Sequence, residues 1–147
     1  MRKRIVLTAL VLAVTPLAAP GRAQTNTVEG APRSTLLGIA MPYAPSRVTG
    51  GYGYTAEAAQ MDKGARSWNL GKCTSYELLY WPTGLKVKPP VAYAAFRATV
   101  KTAGWSAKDV FNFDPLDAFV LSKGARRVLA SVVMDRGPTL SLCELAK

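Results

Sequence analysis

Residues 110–145 decide the predicted fold, and they read VFNFDPLDAFVLSKGARRVLASVVMDRGPTLSLCEL. Apolar residues recur here with a period of 2, as they do along one face of a β-strand. Asp114-Pro115, Lys123-Gly124 and residues 135–138 interrupt the apolar runs and are typical turn sequences. We therefore predict strands over 110–114, 118–123, 127–135 and 139–145, of which the last three form an antiparallel meander.

The preceding stretch, residues 90–103, has the period of a helix instead. Four apolar residues recur at intervals of 3, 4 and 3 and form one stripe: Tyr93, Phe96, Val100 and Ala103. Pro90 suits the first helical position, and Gly104 is placed to end the helix. The sequence therefore predicts one main helix directly before the strands.

Two further elements are predicted upstream of this helix. Residues 74–81 alternate as a strand does, and residues 55–63 are predicted to form a short helix that ends at Gly64. The main helix has one apolar stripe to bury, and the strands offer a face to bury it against. We therefore predict an α+β fold, a two-layer sandwich with one main helix packed on a small, mostly antiparallel sheet.

The first 23 residues have the organisation of a secretory signal peptide. Basic residues at positions 2–4 precede an apolar run over 5–19, and small residues at positions 21 and 23 precede Gln24. The apolar run is shorter than the roughly 20 residues that a spanning helix needs. We predict cleavage before Gln24, no transmembrane segment after cleavage, and a periplasmic or secreted location. An uncleaved N-terminal anchor is the alternative.

The rest of the chain is predicted to hold one domain. Glycine and proline recur throughout residues 24–53, which we predict to be a loose N-terminal lead-in. Residues 54–147 then form a single α+β domain, whose size is typical of one hydrophobic core.

Cys73 and Cys143 are the only cysteines in the sequence. An even number of cysteines in an exported protein favours a disulfide, which here would close a loop of about 70 residues. Two buried free thiols are the alternative. A redox-active pair is not indicated, because the spacing is not that of a C-x-x-C motif.

The order of strand, loop, helix and meander resembles a known periplasmic module. This is the α+β module that precedes the OmpA-like domain in some bacterial outer-membrane-associated proteins. The resemblance is carried by residues 76–80, by residues 96–105, and by the Lys123-Gly124 turn before residues 128–133. It covers about half of the chain. It implies a periplasmic α+β fold, and it supplies no catalytic residues.

The composition excludes several kinds of catalytic and metal site. The sequence has no histidine, and its two cysteines cannot form a four-cysteine zinc site, so we predict no metal and no cofactor. A serine nucleophile would lack a histidine base. Asp109, Asp114 and Asp117 would need to converge in one cleft to work as acid and base, and Asp114 and Asp117 also suit an ordinary turn. We therefore predict that the protein is not an enzyme.

The predicted mature chain has a modest excess of basic over acidic residues. Removal of residues 1–23 lowers the net charge from +10 to +6, which does not indicate a nucleic-acid partner. Five basic residues in predicted loops and turns are candidates for an anion-binding patch: Lys86, Lys88, Arg126, Arg127 and Arg136. Separate, solvated loop charges are the alternative.

Together these patterns predict a non-catalytic secreted or periplasmic module that binds an envelope component, such as a polyanion, or a protein partner. A small secreted inhibitor or effector is the alternative, and an exposed apolar patch rimmed by Arg or Lys would favour it. A carboxylate-dependent enzyme is the least favoured hypothesis.

Overall fold

The fold is built on one antiparallel sheet of seven strands and two helices. The computed structural model describes residues 25–82, 84, 87–134 and 138–146. The strands are β1 (Thr27–Gly30), β2 (Ser46–Gly50), β3 (Cys73–Tyr80), β4 (Ser106–Phe113), β5 (Leu116–Lys123), β6 (Arg126–Val133) and β7 (Thr139–Leu145), and the helices are α1 (Tyr52–Ser67) and α2 (Pro89–Thr102). The strand order is β1-β2-β3-β7-β6-β5-β4. Strand β7 therefore lies at the centre of the sheet, and β1 and β4 form its edges.

The C-terminal meander and the main helix form as predicted. Strands β4 to β7 pair in sequence order; Phe119 on β5 lies opposite Ala130 on β6, which lies opposite Leu142 on β7. The whole predicted stripe of α2 packs into the core with these strands. Gly104 follows the helix with a φ of 82°, a conformation that favours glycine. Local periodicity and turn residues were sufficient to predict this half of the molecule.

The predicted two-layer architecture is wrong, because the helices pack on opposite faces of a large sheet. Phe119 and Leu121 on β5 share a core with Phe96 of α2, whereas Val120 between them packs with Met61 of α1. We call these the α2 face and the α1 face. Successive residues are buried because both faces are covered, so the central strands lose the simple alternation that marks a one-sided sheet. Because both faces of the sheet are buried, the prediction of a single helical layer was wrong.

The N-terminal residues 27–50 join the sheet instead of forming the loose lead-in that we predicted. Strand β1 pairs with β2, and β2 pairs with β3 through Val48 and Leu78. The segment between them folds onto the α2 face, where Leu37, Ile39 and Met41 enter the core. The observed sheet is larger than the predicted one because it includes these two N-terminal strands.

Glu77 on β3 fixes that N-terminal segment. Its carboxylate accepts hydrogen bonds from Ser34 Oγ at 2.6 Å, from the Thr35 and Leu36 N–H groups, and from Arg47 Nε at 3.0 Å. Burial by itself would raise the pKa of the Glu77 carboxyl, but these hydrogen bonds stabilise the charged form and the net shift is downward. One buried carboxylate thus joins three segments of the chain.

The predicted disulfide is confirmed between Cys73 and Cys143, on the α1 face. It links β3 to its neighbour β7, with a Cα–Cα distance of 5.5 Å. The predicted signal peptide, residues 1–23, lies outside the described residues. Neither helix in the described part of the chain is long and apolar enough to cross a membrane.

Candidate binding site

A cleft opens on the α1 face because α1 covers only part of it. Near the start of α1, Glu57 Oε1 accepts a hydrogen bond from Ser141 Oγ of β7 at 2.7 Å. Just after the end of α1, Trp68 stacks on Phe111 of β4. The uncovered sheet beside the helix forms a cavity of about 320 Å³. The cavity is lined from α1 and from strands β5 and β6 by Glu57, Gln60, Met61, Lys63, Gly64, Ser67, Trp68, Leu116, Leu129, Ser131 and Val133.

Three aromatic side chains continue this apolar surface toward the edge of the sheet. The Trp68 and Phe111 rings lie 6.1 Å apart between centroids, and those of Phe111 and Phe113 lie 6.5 Å apart. Phe113 lies opposite Leu116, which lines the cleft, and directly opposed side chains share a face of the sheet. We call Trp68, Phe111 and Phe113 the aromatic strip. Phe113 is 73% exposed and Phe111 is 39% exposed, so the strip presents apolar surface to solvent.

Charges of both signs lie near the cleft. Lys63 lines it, and Lys108 lies on the same face of β4, opposite Val120. Neither lysine makes an ion pair with a residue that the structure describes. Glu57 is held by Ser141. The site therefore combines an apolar floor, exposed aromatic rings, one carboxylate and one ammonium group in its lining, and a second ammonium group on the same face of the sheet.

The described members of the predicted anion-binding set, Lys88, Arg126 and Arg127, do not gather at one place. Tyr93 of α2 contacts Asp117 near the start of β5, and Ala103 after α2 contacts Lys123 at its end. Lys88, which precedes α2, therefore lies toward the opposite end of the sheet from Arg126, the direct partner of Lys123. Lys86 and Arg136 lie outside the described residues. Among the described members, only Arg126 and Arg127 are adjacent.

Arg126 and Arg127 have contacts within the protein. Arg126 donates to Glu144 Oε1 at 2.9 Å and to the Leu36 carbonyl at 2.7 Å, and its guanidinium lies over the Trp105 ring. Arg127 Nη1 lies 3.5 Å from the Leu70 carbonyl. These contacts anchor the loops at that end of the sheet. They occupy N–H donors of both guanidinium groups, so fewer donors are left to bind a ligand.

The three aspartates do not form a shared cleft. Asp117 is buried on the α2 face and accepts a hydrogen bond from Tyr93 Oη. Burial and this hydrogen bond raise the pKa of the Tyr93 hydroxyl. Asp109 is exposed and lies 3.4 Å from Arg97 Nη1, and Asp114 is in the β4–β5 turn. The Tyr93–Asp117 contact joins α2 to the sheet.

The aromatic strip was missed by the sequence analysis. Phe111 and Phe113 are two residues apart in a predicted strand, and that alternation indicates one shared face. It does not show that the strand is an edge, nor that the facing helix stops short of it. Trp68 lies just after α1 and is only partly buried.

Comparisons of this chain with protein-family models, with curated proteins and with solved structures give no match.

Proposed function

We propose that this protein is a non-catalytic periplasmic or secreted module that binds a protein partner through the cleft on its α1 face. One observation carries the proposal: Phe113 is 73% exposed and lies opposite Leu116, which lines a cavity of about 320 Å³ with a mainly apolar floor. Exposed aromatic rings around an apolar cleft are typical of protein-binding surfaces, where aromatic side chains supply most of the binding free energy.

A protein partner is favoured over an envelope polyanion. A polyanion site needs several cations that converge, and Lys88 lies far from the Arg126-Arg127 pair. The aromatic strip offers apolar area instead, and burial of apolar area stabilises a protein complex. The lysines at the rim then contribute partner selection and association rate.

A periplasmic or secreted location is part of the proposal. It is supported by the signal-like pattern of residues 1–23 and by the Cys73–Cys143 disulfide, since disulfides persist in oxidising compartments. The resemblance to the module that precedes OmpA-like domains favours the same compartment.

A small secreted inhibitor or effector is the second candidate function. The aromatic strip with Lys63 and Lys108 at its rim is an exposed apolar patch bordered by lysine, which favours this function. The two candidates share the binding surface and differ in the effect of binding on the partner. An inhibitor or effector changes the activity of the captured partner, and an adaptor leaves that activity unchanged.

Site-specific photocrosslinking tests the proposed binding surface. The photoreactive residue p-benzoylphenylalanine replaces Phe113 in one variant and Tyr52 in a matched control, because Tyr52 is 74% exposed and lies outside the cleft. Both variants are produced in the native host and irradiated. We expect a discrete protein adduct from position 113 and none of that size from position 52. Equal labelling from the two positions, or no adduct from position 113, would contradict the proposal.

A further inference from the structure

The outer side of β4 is a long open edge of the sheet. Strand β4 has 8 residues, whereas the other edge strand, β1, has 4. All β4 residues except the half-buried Val110 are exposed, and no strand in the described part of the chain pairs with the side of β4 away from β5. Alternate residues of an antiparallel edge strand direct their N–H and C=O groups outward, so this edge is able to accept another strand.

The two halves of β4 differ in how they present that edge. The first half carries Lys108 and Asp109, and the register shifts between Asp109 and Phe111. Charged residues and register irregularities discourage indiscriminate pairing of an edge strand. The second half carries Phe111 and Phe113, which are 39% and 73% exposed. The second half therefore offers unpaired backbone groups beside two aromatic rings on the α1 face.

We propose that the protein partner presents an extended peptide with apolar and acidic residues, which adds to β4 as an eighth strand. This inference rests on the proposed function and specifies the form in which the partner is bound. Cross-strand neighbours of Phe111 and Phe113 on the α1 face would be apolar residues at alternate positions. An acidic residue farther along the same face would lie near Lys108. Backbone hydrogen bonds provide affinity in this binding mode, and the alternate side chains provide specificity.

Charge favours an acidic peptide over a second copy of this chain. Lys63 and Lys108 border the aromatic strip without an ion pair to a described residue, and the chain without residues 1–23 carries a net charge of +6. A second copy would repeat that positive charge. Self-pairing of β4 about Lys108 or Asp109 would also place like charges directly opposite each other. An acidic partner segment meets neither problem, and opposite charge speeds its association.

A displayed library of random eight-residue peptides, selected on the mature protein with its disulfide intact, provides the probes. We expect enrichment of sequences with apolar residues at alternate positions and at least one acidic residue. The best peptide is then synthesised in two N-methylated forms, one methylated at its odd-numbered residues and the other at its even-numbered residues. One of the two forms should bind about tenfold more weakly or worse, because its methyl groups remove the N–H donors that face β4 while every side chain is kept. Hydrogen exchange of the amides over 106–113 should slow when the unmodified peptide is bound.

Three variants connect the peptide to named residues. Phe113→Thr should weaken binding by about tenfold, while the matched control Tyr52→Ser should leave it unchanged. Selection on Lys108→Glu should shift the enriched peptides from acidic to basic residues. Both expectations follow from side chains that the added strand would meet directly.

Three other outcomes would overturn the proposal that the partner adds a strand to β4. Each of them can be told apart from failure of the proposed binding function. Peptides that bind equally well in both N-methylated forms, and protect α1 and β6 instead of β4, would locate binding in the cleft alone. Absence of any enriched peptide would exclude a short extended ligand, while crosslinking at position 113 tests the partner independently. Slowed exchange over 106–113 that depends on the concentration of the protein alone would assign the edge to a second copy.

Discussion

Arg47 on β2 donates from Nη2 to Oε1 of Glu77 on β3 across 2.8 Å, and the Glu77 side chain is 1% exposed. This contact joins the N-terminal segment to the centre of the sheet. Loss of Glu77 would leave the buried Ser34 Oγ and the Thr35 and Leu36 N–H groups without their acceptor, which is far more costly than loss of an exposed ion pair. Arg47 would keep its second ion pair, with Glu29 at 2.8 Å.

Replacement of Glu77 by alanine should therefore be strongly destabilising. We expect Glu77→Ala to lower the free energy of unfolding by about 3–5 kcal/mol in urea titrations. Arg66→Ala is the matched control, because its ion pair with Asp62 is exposed, and it should cost about 0.5 kcal/mol. Equal effects of the two substitutions would show that the Glu77 network does not hold the N-terminal segment.

The stability should depend on pH through the same carboxylate. The folded-state pKa of Glu77 lies below its ordinary value of 4.5, so its stabilising contribution is present above that value and is lost as the pH falls through the folded pKa. The difference in unfolding free energy between the wild type and Glu77→Gln should shrink below about pH 4.5. Urea titrations from about pH 7 to pH 3 measure it, and parallel curves over this range would refute the assignment.

The disulfide should contribute much of the stability. Its loop spans a sequence separation of 70, for which chain entropy gives about 4 kcal/mol. The double variant Cys73→Ala/Cys143→Ala should lose about that much unfolding free energy, and added reductant should then have no further effect. A loss below about 1 kcal/mol would mean that the unfolded chain is already compact without the crosslink.

Tyr93→Phe tests the contact that joins α2 to the sheet. The Tyr93 hydroxyl donates to the buried Asp117, and removal of a donor from a buried carboxylate costs about 1–3 kcal/mol. Tyr80→Phe is the control, since the Tyr80 hydroxyl makes no side-chain hydrogen bond within the described residues. Thermal and urea unfolding should separate the two variants, and identical curves would contradict a role for the hydroxyl in attaching α2.

Phe113→Thr should leave stability almost unchanged even though it weakens binding. Phe113 is 73% exposed, whereas Phe96 is 0% exposed in the core of the α2 face. We expect a change within about 0.5 kcal/mol for Phe113→Thr and a loss of about 3–5 kcal/mol for Phe96→Ala. A large loss at Phe113 would indicate a packing role and would weaken the case for a binding surface.

The parts of the fold that could be predicted are those with a complete local signal. The conformations of α2 and of the turns at Gly104 and Lys123-Gly124 follow from the residues within those segments. Strands β1 and β2 carry no such signal, because they have only 4 and 5 residues and each ends in a glycine. Their place in the sheet depends on Glu77, which lies about 30 residues beyond β2 in the chain.

The candidate site was less accessible to prediction, for a similar reason. Exposure of Phe113 depends on where α1 ends and on which strand is the edge, and both are set by packing over the whole sheet. The described members of the predicted patch are separated, because the segment that holds Lys88 and the turn that holds Arg126 and Arg127 lie at opposite ends of the strands. The disulfide was predictable because two cysteines allow one pairing and the signal-like pattern of residues 1–23 favours an oxidising compartment.

The position of β7 also governs when the molecule is able to fold. It is the last strand along the chain, yet it lies between β3 and β6 and carries Cys143. Strands β1 to β3 and strands β4 to β6 are joined in the sheet only by residues 139–145, because β7 pairs with β3 on one side and with β6 on the other. Synthesis of those residues is therefore required before the sheet can be completed and before the two cysteines can pair.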